Sequence, residues 1–280
     1  MSTPSHISIS EIILELDKII DWSIKNNSRV GYFAVLYHRV TCRIKEGIDK
    51  NEFENGPRME RLDVIFAMRY IEAWNAWVNQ GNLTKSWEVA FDQSQNNKSV
   101  ILQQMLLGIN AHINLDLGIA TSETVGNSGN IEEILHDFDT INAILASLVD
   151  EVQNDLKKVS PLIRLVDRFG KGRQDKLATF SIDIARTGAW YFACLVHRCT
   201  QQSLNDLITE RDESIAKLAA ALAQPKSVFL RILVLIASWS ERRQPKDIIQ
   251  KLRFAVDQKT GQSFINHYFS KIIARSKTIS

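Results

Sequence analysis

The stretch that decides the fold is SVILQQMLLGINAHINLDLGIA, from Ser99 to Ala120. At 100° per residue its apolar side chains fall on one arc, as in an amphipathic helix. The members of this arc are Leu102, Met105, Leu106, Ile109, Ile113 and Leu117, and the polar residues opposite them are Gln103, Asn110 and Asn114. His112 and Asp116 lie inside the apolar arc. We therefore predict a central helix that buries an imidazole and a carboxylate.

A buried carboxylate must be paired, bound to a metal or neutralised, so Asp116 predicts partners on neighbouring helices. Two other predicted helices carry polar residues within or beside their apolar arcs. These residues are Asp63, Arg69 and Tyr70 on the helix predicted over Met59–Asn79, and Asp137 and Asn142 on the helix predicted over Ile131–Lys157. We predict that they converge with His112 and Asp116 in one cavity.

Three carboxylates facing one arginine and one histidine leave an excess of negative charge, which a divalent cation would balance. Histidine and carboxylate ligands with an open position suit zinc or iron, and such an ion polarises a bound water. We therefore assign His112 and Asp116 as metal ligands. Catalytic roles go to the other five residues, Asp63, Arg69, Tyr70, Asp137 and Asn142. The function predicted first is a metal-assisted enzyme that acts on a small apolar substrate.

Two other functions fit the sequence. In one, Arg69 pairs with an aspartate, His112 is protonated against Asp116, and the third aspartate lies at the surface. The chain is then a non-catalytic ligand-binding or structural protein. The other rests on NDLITERDE, in which Asn205, Thr209 and Glu213 match the magnesium motif of class I terpene synthases. Those enzymes also carry an aspartate-rich motif on an earlier helix, and this chain has none at a suitable distance.

The chain shows no sustained alternation of apolar and polar residues, which predicts an all-α fold. Its 280 residues, 45% of them apolar, suffice for one compact, bundle-like domain over residues 1–280. A basic loop near residues 158–176 is the predicted sub-boundary. Ser8 and Glu11 have the spacing of a capping box before the first helix, and Gly47 with the polar residues up to Pro57 predicts a loop.

A net charge of +2 argues against a nucleic-acid partner, because such proteins present a concentrated basic face. The three cysteines, Cys42, Cys194 and Cys199, form no CxxC motif, which fits a reducing cytoplasm. The N-terminus lacks the pattern of a signal peptide, and the longest apolar run, Val228–Ala237, is too short to span a bilayer. We expect a cytoplasmic protein with a small-molecule partner. Oligomeric state is not predicted.

Five blocks of the sequence carry a family resemblance. They are GYFAVLYHRVT (Gly31–Thr41), GPRMERLDVIFAMRY (Gly56–Tyr70), LGINAHINLDLGIA (Leu107–Ala120), DFDTIN (Asp137–Asn142) and IARTGAWYFA (Ile184–Ala193). Together they resemble the bacterial domain-of-unknown-function 5995 family, and NAHINLDL is the most specific part. The resemblance covers roughly Ile9 to Ala193. It implies an all-helical fold with recurring polar positions and no particular activity, and the segment that contains NDLITERDE lies outside it.

Overall fold

The computed structural model describes residues 7–160, 173–225, 234–235, 238, 241 and 244–253. Within these residues the regular structure is helical and contains no strand, so the all-α prediction is confirmed. Their helices include none that is long and apolar enough to cross a membrane. The predicted sub-boundary near residues 158–176 falls mostly outside the described residues. The single-domain organisation stays a prediction.

Eleven helical segments lie among the described residues between Ile9 and Ala223, and their bounds are as follows. They are α1 (Ile9–Lys25), α2 (Val30–Asp49), α3 (Gly56–Val78), α4 (Lys85–Gln95), α5 (Ile101–Ala111), a π-helical turn (His112–Asp116), α6 (Leu117–Val125), a 3-10 turn (Ile131–Ile134), α7 (Leu135–Val159), α8 (Arg173–Arg198) and α9 (Gln201–Ala223). Residues 245–253 are also helical. Helices α2, α3, α8 and α9 all pack against the continuous run of α5, the π-helical turn and α6.

The capping box predicted at the start of α1 is confirmed. The Glu11 backbone N–H donates to Ser8 Oγ, and the Ser8 backbone N–H donates to Glu11 Oε2 at 2.7 Å. By contrast, the predicted start of the following loop at Gly47 was wrong, because α2 continues to Asp49. Lys45 forms an ion pair with Asp49 across the last turn, and pairs at this spacing support a helix.

The central segment is not one straight helix. Its π-helical turn closes with a bond from the Leu117 backbone N–H to the His112 carbonyl, so the turn contains one more residue than an α-helical turn. This extra residue shifts the faces of α6 relative to those of α5. An arc drawn at 100° per residue from Leu102 to Leu117 therefore does not describe the buried face.

The predicted faces of α5 were also wrong. Leu102 and Leu106 are 37% and 38% exposed, whereas Gln103 and Asn110 are buried. The Gln103 amide donates to the Leu222 carbonyl at 3.0 Å, and the Asn110 amide donates to the Ile215 carbonyl at 3.2 Å. Leu222 lies in the last turn of α9, where carbonyls lack partners within the helix. The amides are buried because they satisfy the backbone of α9.

We predict that Gly118→Ala destabilises the protein, although alanine favours helices over glycine. A Cβ atom at Gly118 would lie 2.7 Å from Phe192 Cδ1 and 2.9 Å from the Ala189 carbonyl oxygen on α8. The free energy of unfolding in urea should fall by about 1 to 3 kcal/mol, as in other overpacked cores. Gly56→Ala is the control, because its Cβ would meet only Ile48 Cγ2, at 3.5 Å. Equal stability of the two variants would contradict the close packing of α6 on α8.

Candidate functional site

His112 and Asp116 lie in the π-helical turn, and both side chains are buried. Nδ1 of His112 is 3.1 Å from Oδ2 of Asp116. Wider turns of this kind occur frequently at functional sites in α-helices. The two residues that the sequence places inside the apolar arc therefore contact each other at the centre of the fold.

Two further helices complete the contacts of Asp116. Nε of Arg69 on α3 donates to Oδ1 at 2.9 Å, and Nε1 of Trp87 on α4 donates to Oδ2 at 2.9 Å. Burial acts to raise the pKa of Asp116, but the charge of Arg69 and the hydrogen bonds from His112 and Trp87 outweigh it and lower this pKa. Asp116 is thus an ionised acceptor whose charge Arg69 balances.

The state of the His112 ring follows from these contacts. Burial lowers its pKa and outweighs the opposite effect of Asp116, so the ring is neutral at neutral pH. Because the Asp116 carboxylate can only accept, Nδ1 of His112 carries the proton. Nε2 then holds a lone pair, and none of the described residues provides it with a hydrogen-bond partner. This arrangement is that of a histidine base oriented by a carboxylate.

Five aromatic rings surround the His112 ring. Phe66 stacks on it with centroids 3.6 Å apart, and Tyr37 meets it edge-on at 4.5 Å. The other rings are those of Phe33 at 5.9 Å, Trp87 at 6.0 Å and Tyr70 at 6.1 Å. The rings come from α2, α3 and α4. They exclude bulk water, which strengthens electrostatic interactions with the imidazole.

Three buried hydroxyls lie in or next to this aromatic surround, those of Tyr37, Thr41 and Tyr70. None of them has a hydrogen bond of good geometry to a described residue, although the Thr41 hydroxyl lies close enough to that of Tyr37 to act on its pKa. Leaving such a group unpaired costs about 1 to 3 kcal/mol, and a cluster of them in one place calls for an explanation. Tyr37 and Tyr70 both pack on the His112 ring. The tyrosine hydroxyls and Nε2 of His112 thus have hydrogen-bonding capacity that the described residues leave largely unused.

Asp63 adds an unpaired carboxyl beside Tyr37. It is 3% exposed, and neither of its oxygens has a partner among the described residues. Burial, with a smaller contribution from Glu60, raises the pKa of Asp63 to about 8. Burial and the charge of Asp63 in turn raise the pKa of the Tyr37 hydroxyl well above its ordinary value. Tyr37 thus connects His112 at its ring with Asp63 at its hydroxyl end.

The structure places Asp137 in a different contact from the predicted one. Its carboxylate accepts from the backbone N–H groups of Glu54 and Asn55, at 2.7 and 3.1 Å, and from Nη2 of Arg58 at 3.0 Å. It thereby fixes the loop before α3 onto α7. The side chain of Asn142 lies outside the described residues. Of the predicted set, Asp116 contacts both His112 and Arg69 directly. Tyr70 packs on the His112 ring. Asp63 lies near the hydroxyl of Tyr37, whose ring contacts His112.

The negative charge that motivated a metal ion is balanced by arginines. Arg69 pairs with Asp116 and Arg58 pairs with Asp137, while the high pKa of Asp63 keeps its carboxyl largely protonated at neutral pH. Within the described part of the chain, no three histidine, cysteine, aspartate or glutamate side chains are arranged to hold a metal ion. Assignment of His112 and Asp116 as zinc or iron ligands stays a prediction that this geometry does not support.

The side chains of the three residues of the terpene-synthase-like motif make separate contacts. The Thr209 hydroxyl donates to the backbone carbonyl of Asn205, one turn earlier on the same helix, and Glu213 pairs with Lys85 at 2.6 Å. Their neighbour Asp212 accepts the backbone N–H groups of Lys85 and Ser86 at the start of α4. An acceptor at this position stabilises a helix N-terminus, so this segment of α9 anchors α4.

The sequence reasoning did not assign Trp87, Tyr37 and Thr41 to the site. Trp87 and Tyr37 count as apolar in a periodicity plot, although each carries a polar atom that needs a partner when buried. Thr41 follows Tyr37 by one turn of α2 and lies on the same face. A search for polar atoms on buried faces, instead of for charged residues alone, would have found all three.

A comparison with known families bears on this site. The sequence profile described as "Family of unknown function (DUF5995)" matches residues 9–225. The chain belongs to the DUF5995 family. This confirms the resemblance but corrects its extent, because the DUF5995 match continues past Ala193 and includes Asn205–Glu213. No curated protein and no solved structure gives a significant match. Every residue of the site described above lies within the DUF5995 region.

Proposed function

We propose that this DUF5995 protein binds a small, largely apolar molecule beside His112 and uses Nε2 of His112 as a general base on it. The observation that carries the proposal is the contrast between the two ring nitrogens. Nδ1 is fixed by Asp116, whereas Nε2 is buried without a partner among the described residues. A positioned histidine that removes a proton typically contributes a factor of 10² to 10⁴ to a rate.

The surrounding residues suit proton abstraction next to a carbonyl group. Burial raises the pKa of both Tyr37 and Tyr70, so their hydroxyls stay protonated and can donate to an oxygen that gains negative charge. The aromatic rings supply an apolar environment for the rest of the molecule. The proposal keeps the predicted small apolar substrate, and Arg69 takes the place of the predicted metal as the group that neutralises Asp116.

The test is proton exchange in a simple ketone. Phenylacetone has an aromatic ring and acidic C–H bonds beside a carbonyl, and its exchange in D₂O can be followed by NMR. We expect the wild-type protein to accelerate this exchange and His112→Gln to lose at least 10²-fold of the acceleration. His136→Gln is the matched control, because His136 is exposed on α7. Equal exchange rates for the wild-type protein and His112→Gln would refute the role of His112.

A further inference from the structure

Asp63 differs from the other buried aspartates of the described structure. Asp116 pairs with Arg69, Asp137 with Arg58, and Asp155 with Arg39. Asp212 accepts two backbone N–H groups. Asp63 alone among these five has neither oxygen bonded to a described residue. A buried carboxylate without a partner is costly. The carboxyl of Asp63 is thus a hydrogen-bond acceptor that has no donor among the described residues.

The groups around Asp63 are also hydrogen-bond acceptors. Tyr37 faces it from α2, and the Thr41 hydroxyl lies one turn further along the same face. Glu60, one turn earlier on α3, adds negative charge. Carboxylate and hydroxyl oxygens together match a group with several N–H donors and a positive charge, and aromatic rings attract such a cation.

The position of Asp63 relates it to His112. Asp63 precedes Phe66 by three residues on α3, and Phe66 stacks on the His112 ring at 3.6 Å. Three residues of α-helix span about 5 Å along the axis. The separation of the two residues along α3 thus matches the length of a small molecule with an ammonium at one end and a carbon skeleton of a few atoms.

We infer that the small molecule of the proposed function carries, besides its carbonyl group, a primary amine whose ammonium group binds the Asp63 carboxylate. This inference rests on the proposed function, since it assigns the substrate class of the same site. The ammonium donates to Asp63 and to the adjacent hydroxyls, and the apolar skeleton extends over Phe66 toward Nε2 of His112. Asp63 is then a substrate-binding residue, and its ion pair forms only when the amine is present.

The test compares two ligands of equal length, 2-phenylethylammonium and 2-phenylethanol, by calorimetry at about pH 8.5, where most of Asp63 is ionised. The wild-type protein should bind the amine at least tenfold more tightly than the alcohol. In Asp63→Asn this ratio should fall to about one, and Asp63→Leu provides a second variant of similar volume. Asp139→Asn, at an exposed position of α7, should keep the wild-type preference.

Equal binding of the two ligands by the wild-type protein would overturn the inference, as would absence of binding by both or a preference that survives in Asp63→Asn. Each of these results leaves the phenylacetone exchange assay unaffected. If the wild-type protein does not prefer the amine but His112 still accelerates exchange, only the assignment of the substrate as an amine is refuted. Absence of acceleration would refute the proposed function itself.

Discussion

Asp116→Ala is expected to destabilise the protein by about 3 to 5 kcal/mol, the range for removing one member of a buried ion pair. Asp116 accepts from Arg69, Trp87 and His112. Removing its carboxylate leaves a guanidinium, an indole N–H and an imidazole N–H without their acceptor. Urea unfolding at neutral pH measures the loss.

Asp139→Ala is the control for this variant, because Asp139 is exposed and surface substitutions usually change stability by less than about 0.5 kcal/mol. The double variant Asp116→Leu with Arg69→Leu should recover much of the lost stability, since it removes both charges at once. A loss of less than about 1 kcal/mol in Asp116→Ala would show that the Arg69 pair does not hold this part of the core.

Asp63→Asn is expected to stabilise the protein at pH 8 and to leave its stability nearly unchanged at pH 4. The pKa of Asp63 is about 8 in the folded protein and about 3.9 in an unfolded chain. Between these values the unfolded chain loses a proton that the folded protein retains. The contribution of Asp63 to wild-type stability should therefore fall as pH rises from about 4 to about 8, and it should level off above that.

The size of this effect follows from the pKa difference. The contribution of Asp63 changes by up to about 1.4 kcal/mol per pH unit where the slope is greatest, and by roughly 5 to 6 kcal/mol in total. Other groups titrate over the same range, so the measured quantity is the difference in unfolding free energy between the wild-type protein and Asp63→Asn at each pH. A difference that stays constant from pH 4 to pH 8 would show that Asp63 is solvated or paired in the folded protein.

The sequence predicted the helices, and it predicted that Asp116 needs partners on neighbouring helices, because both depend on periodicity; pairing of Arg69 with an aspartate was one of the alternatives that it left open. Ser8 and Glu11 mark the start of α1 by spacing alone. An aspartate inside an apolar arc requires a partner, and Arg69 lies inside the arc of α3. These predictions depend on which face a residue occupies, and a repeat of 3.6 residues determines that face wherever the helix is regular.

The sequence could not predict which neighbour a buried side chain contacts, or where the register of the central helix changes. Asp137 lies at the margin of an arc, which predicts burial but leaves open which neighbour it contacts. The π-helical turn changes the register after His112, and no residue type marks its position. Gln103 was placed on the polar face because its partner, the Leu222 carbonyl, belongs to a helix distant in sequence. Such contacts depend on the packing of several helices together.

The sequence also left the charge state of the site open. One reading had His112 protonated against Asp116, and another had both residues on a metal ion. The structure favours a neutral His112, because burial lowers its pKa more than Asp116 raises it. Burial by the five aromatic rings and the charge of Arg69 produce this result together, and no single pair of residues in the sequence predicts it.

The most direct test of this account is the protonation state of His112, measured from the ¹⁵N resonances of its ring with His112→Gln to assign them. We predict a neutral ring with the proton on Nδ1 and a bare Nε2 at about pH 7 to 8, and a pKa of His112 below the usual histidine value of about 6.5. The Nε2 resonance should also shift when phenylacetone is added. A pKa above the usual value, or a proton on Nε2 at pH 8, would contradict the claim that the fold presents His112 as a base.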